Sequence, residues 1–98
     1  MTYKEIDSII DDWVRRHSLH HYTSAKDEEV RSVHIVDEKA RTYQIWIDVP
    51  SEAGAVNVHA CAWDFKKRKQ DFEATICDLA ICLENAYKTV LDWIGGEK

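Results

Sequence analysis

Two runs of strict alternation, separated by a proline and a glycine, constrain this chain more than any other feature. Tyr43, Ile45, Ile47 and Val49 alternate with Thr42, Gln44, Trp46 and Asp48; Val56, Val58, Ala60 and Ala62 alternate with Asn57, His59, Cys61 and Trp63. A period of two sends successive side chains to opposite faces of a strand, so each run predicts a strand with one aliphatic face and one polar and aromatic face. Between them, Pro50-Ser51-Glu52-Ala53-Gly54 holds turn residues, and a four-residue turn brings both aliphatic sets onto one side. A further β-prone run at residues 29–37 precedes Asp37-Glu38-Lys39-Ala40, which is too short for anything but a tight turn. A three-residue turn there places Val33 and Ile35 inward, opposite Ile45 and Tyr43; a two-residue turn would instead bring in Val30 and Val36. We take the three-residue turn. Strands are thus expected over residues 29–37, 41–49 and 55–63, with a weaker candidate for an edge strand at residues 21–24.

Helical spacing flanks this meander on both sides. Thr2 and Glu5 have the spacing of a capping box, and Met1 and Ile6 that of a hydrophobic staple. Ile6, Ile9, Ile10, Trp13 and Val14 then form one apolar stripe, with acids early and Arg15, Arg16 and His17 late, the order that a helix dipole favours. This helix is expected to end near Ser18. Toward the carboxyl end, Phe72, Ile76, Leu79, Leu83, Ala86, Val90 and Trp93 recur at steps of four and three, which predicts a helix over residues 71–94 with Asp71 as its cap. Gly95-Gly96 is a stop signal.

Two apolar helix stripes and one aliphatic sheet face must cover one another. The predicted fold is α+β, a two-layer sandwich in the order α-β-β-β-α. Both helices pack on one face of a three-stranded antiparallel meander, four-stranded if residues 21–24 join it, and residues 1–98 form one domain. The other sheet face is then bare and carries Gln44, Trp46, His59 and Trp63, joined by His34. Aromatic side chains on an open sheet surface are enriched where proteins meet other molecules.

The remaining candidates for chemistry are weaker. The segment His17-Ser18-Leu19-His20-His21 holds three imidazoles, but neither H-E-x-x-H nor paired C-x-x-C accompanies it, so no metal or other cofactor is expected. Cys61 with His59 or His34 is the one thiol and imidazole combination the sheet could assemble for an enzyme, and no nucleophile elbow or glycine-rich phosphate loop supports it. Cys61, Cys77 and Cys82 are read as reduced, buried packing residues. Lys66, Lys67, Arg68 and Lys69 form a basic run that could hold phosphate or nucleic acid. The chain as a whole carries a net charge of −5, which opposes general affinity for nucleic acid or anionic membranes.

The amino terminus runs directly into a charged amphipathic segment, with no apolar core followed by a cleavage site, so a cytoplasmic location is expected. The reading that absorbs most of these features is a non-enzymatic interaction module. Its contacts are Gln44, Trp46, His59 and Trp63, and its partner is another protein or a second copy of itself. Phosphate binding through Lys66, Lys67, Arg68 and Lys69 is the alternative, and a small cysteine and histidine enzyme the further one.

Overall fold

The aliphatic alternation assembles the sheet. The computed structural model describes residues 3–19, 30–62 and 69–96. Strands β1 (Val30–Val36), β2 (Thr42–Asp48), β3 (Ala55–Ala62) and β4 (Lys69–Thr75) form one antiparallel sheet in chain order. Helices α1 (Asp7–Arg16) and α2 (Leu79–Gly96) flank it in sequence, with short 3-10 turns at Tyr3–Glu5 and Ile76–Asp78. The order is therefore α-β-β-β-β-α. The proposed strand at residues 21–24, the cap at Thr2 and the staple at Met1 lie outside the described residues.

Register follows from the turns. Val33 pairs with Ile45 and Ile35 with Tyr43, the outcome of a three-residue turn, and Ile45 and Ile47 pair with Ala60 and Val58. In the first hairpin, Asp37 Oδ1 accepts from the amides of Lys39 and Arg41, Arg41 Nε donates to Asp37 Oδ2 at 2.7 Å, and Ala40 takes φ 62°. Burial alone would raise the Asp37 pKa, but these bonds hold it below the usual carboxylate range. The second hairpin repeats the device: Ser51 Oγ accepts from the Ala55 amide, and the left-handed position falls on Gly54 at φ 82°. The hydrogen bond that the Ser51 amide donates to the Ala55 carbonyl is one residue out of step with the Ile47–Val58 pair. The extra residue on the β2 side ends the alternation. Val49, predicted to face inward, is 41% exposed, and Pro50 is buried in its place.

The inward set meets both helices. Ile6, Ile10 and Trp13 from the amino-terminal segment, Val33, Tyr43, Ile45, Ile47, Val56, Val58 and Ala60 from the sheet, and Leu79, Leu83, Ala86 and Val90 from α2 form one fully buried cluster. Each large aliphatic side chain so buried contributes about 1.5–3 kcal/mol. α1 closes with the paired bonds of a Schellman motif, Leu19 N–H to the Val14 carbonyl and Ser18 N–H to the Arg15 carbonyl, with Ser18 at φ 50°. At the amino end, Tyr3 Oη donates to the Ile47 carbonyl at 2.6 Å. Its ring lies under the Arg31 guanidinium at 4.1 Å, and Arg31 Nε pairs with Asp7 at 3.1 Å. Burial pushes the Tyr3 phenol up to about 12.

The carboxyl-terminal prediction needs correction. Residues 69–75 form β4, and the helix begins at Leu79 after the 3-10 turn, so Asp71 is a strand residue and caps nothing. Phe72 and Ile76 fit a helical repeat by spacing, but Phe72 and Ala74 pair with Val58 and Val56 across the sheet. The gain from extending the sheet over the core overrides the weak β propensity of Lys-Gln-Asp-Phe-Glu-Ala-Thr. The cap is Thr75, whose Oγ1 accepts from the Asp78 amide.

Candidate functional site

Outward-facing residues of the four strands line up in cross-strand rows. One row runs Ser32, Trp46, His59, Asp71; the next runs His34, Gln44, Cys61, Lys69. Both described helices lie against the opposite, aliphatic face. The Trp46 indole stacks on the His59 imidazole, with centroids 4.8 Å apart and planes at 25°. His59 Nδ1 lies 2.8 Å from Asp71 Oδ1, and His59 Nε2 lies 2.8 Å from Asp48 Oδ2. A carboxylate only accepts, so two such contacts require N–H on both nitrogens, the imidazolium form. Burial by itself would lower the His59 pKa, but the bonds to Asp71 and Asp48 outweigh it and hold the group above its ordinary value. The bond to His59 holds Asp71 below the usual carboxylate range.

Gln44, Trp46 and His59 are thus brought together, as alternation implies. Trp63 lies outside the described residues. Two members of the site were not singled out as contacts. Asp48 stands two residues after Trp46 in the outward series, so the alternation already carries it. Asp71 was hidden by its assignment to a helix.

Both His59 nitrogens are directed at carboxylates rather than at the Cys61 thiol, and burial pushes that thiol's pKa up. His34 and Cys61 are separated by β2, which sets their backbones about 10 Å apart. All three cysteines are free. Cys82 is buried and Cys61 intermediate, but Cys77, read from sequence as buried, is exposed because the helix it was assigned to starts only at Leu79.

His17 Nε2 donates to Glu84 at 2.8 Å and its ring lies against Tyr87, tying α1 to α2. His20 and His21 lie outside the described residues; among the described residues no group of three or more His, Cys, Asp or Glu side chains is arranged to hold a metal ion. Of the basic run, Lys66, Lys67 and Arg68 also lie outside. Lys69 opens β4 on the outer face, exposed and paired in register with Cys61. Among the described residues no helix is long and apolar enough to cross a membrane. Comparison with protein families, with curated proteins and with solved structures returns no match.

Proposed function

We propose that this chain is a non-enzymatic interaction module of the cytoplasm that binds a basic surface of another protein on its outer sheet face. The observation that carries the reading is the Trp46–His59 stack, held across three strands by Asp48 and Asp71. A tryptophan fixed in advance offers contact area at little ordering cost, which is the economy of interface anchors. Asp48, Asp71 and Glu73 outnumber Lys69 and the His59 imidazolium on the same face, and the small acidic excess suits Lys and Arg. Gln44 adds an amide beside the indole. The same acids oppose a face-to-face pairing of two copies.

The test compares complexes recovered by the wild-type chain with those recovered by Trp46→Glu and by Asp48→Asn combined with Asp71→Asn. Circular dichroism confirms that each variant is folded. A basic protein bound by the wild type, released by added salt and absent from both variants, is the expected result. Recovery that is indifferent to both variants, or association of the chain only with itself, would overturn the reading.

A further inference from the structure

The outer face does not account for the outer edge of β4. This strand ends the sheet, and among the described residues its second backbone edge faces no partner strand. Beside it runs an open groove of about 320 Å3 lined by the apolar Phe72, Ala74, Ile81 and Cys82 together with Glu73, Asp78 and Asn85. Ile81 is 64% exposed, the most open of the large apolar side chains described. On the other side of the same strand stand Lys69, Asp71 and Glu73, alternating with the inward Gln70, Phe72 and Ala74.

A bare strand edge is a template for one more strand, and the charges on it decide which strand fits. Antiparallel pairing of β4 with its own copy sets acid against acid when the axis falls at Phe72 or Glu73; an axis at Asp71 opposes Asp71 to itself but also pairs Lys69 with Glu73 twice. An extended segment that alternates apolar and basic residues meets the edge on both faces. Its apolar side chains lie over Phe72, Ala74 and Ile81, and its Lys or Arg side chains oppose Asp71 and Glu73.

We propose that β4 recruits such a segment of a partner protein by β-strand addition, with the groove beside α2 reading its apolar positions. This deepens the interaction reading above by naming how a basic partner is held, and it rests on that reading only for the partner's charge.

The experiment uses the full chain and a short synthetic peptide alternating Val and Lys. Counter-probes are a peptide alternating Val and Glu and a peptide of the same Val and Lys content in two blocks. Binding is followed by titration and by amide hydrogen exchange. The expected result is saturable binding of the alternating Val and Lys peptide alone, with new exchange protection at β4 amides. Ile81→Lys, at an exposed position, should weaken binding by about tenfold, the loss of one apolar contact. Glu73→Lys should weaken it and flatten its salt dependence.

Trp46→Ala separates the two readings, because it should leave peptide binding intact even if it abolishes capture of the natural partner. Equal binding of the blocked or acidic peptide, protection absent from β4, or exchange protection that grows with protein concentration without peptide would overturn strand addition.

Discussion

His59 on β3 and Asp71 on β4 are direct cross-strand partners, and their side chains meet at 2.8 Å while the far nitrogen of the same imidazole reaches Asp48 on β2. One protonated ring therefore fastens the edge strand to the interior of the sheet. The His59 pKa is raised above its ordinary 6.5, so its stabilisation is complete below that value and is lost as pH rises through the raised one. Asp71 is lowered below 3.8, so its share is present above that value and is lost as pH falls through the lowered one. Urea unfolding should show the wild type losing stability relative to His59→Gln as pH rises from about 6.5 through the raised His59 pKa, a slope that disappears in the variant. Parallel pH profiles for the two proteins would show that the ring carries no linkage.

Among the described residues, two positions hold L-residues in a conformation that suits glycine. Ser18 at φ 50° closes the Schellman motif, and Ala40 at φ 62° closes the first hairpin where the second uses Gly54. The left-handed region costs such residues roughly 1–2 kcal/mol, part of which glycine returns as greater freedom in the unfolded chain. Ser18→Gly and Ala40→Gly should each stabilise by about 0.5–1 kcal/mol in urea unfolding. Gly54→Ala should cost a similar amount through backbone strain alone, since nothing lies within 4 Å of the added carbon. A loss of stability in Ala40→Gly would refute the hairpin geometry.

The thiols differ enough to be sorted by rate. Cys77 is exposed, Cys61 is intermediate with its pKa pushed up by burial, and Cys82 is buried and raised for the same reason. A thiol reagent near pH 8 should label Cys77 first, Cys61 more slowly and Cys82 only on unfolding, as mass spectrometry after digestion would read out. Labelling of Cys61 ahead of Cys77 would point instead to an activated nucleophile and revive the enzymatic alternative.

Where the residues themselves alternate, the site was legible. Trp46, Gln44 and His59 share a face because the inward positions of β2 and β3 are apolar without interruption from Tyr43 through Ile47 and from Val56 through Ala62, and burial makes a one-residue slip costly. Val49 escaped that logic because the register change before Ser51 is a backbone event with no residue of its own to announce it. β4 escaped because its two inward apolar residues, Phe72 and Ala74, are too few to outvote a helical spacing that continues through Ile76 and Leu79. The capping signature Thr75-x-x-Asp78 marks the true helix start. With β4 read as helix, Asp71 could not be placed beside His59, so the clamp remained hidden while its imidazole was in view.

The central claim is that the face bearing Trp46 and His59 meets a basic protein partner. Replacing Gln44 with a photo-crosslinking amino acid in cells that express the chain tests it most directly, because Gln44 stands two residues before Trp46 on the same sheet face. The account predicts a discrete adduct with a different, basic polypeptide that vanishes when Trp46→Glu is added. Adducts formed only between copies of this chain, or an adduct unaffected by Trp46→Glu, would contradict it.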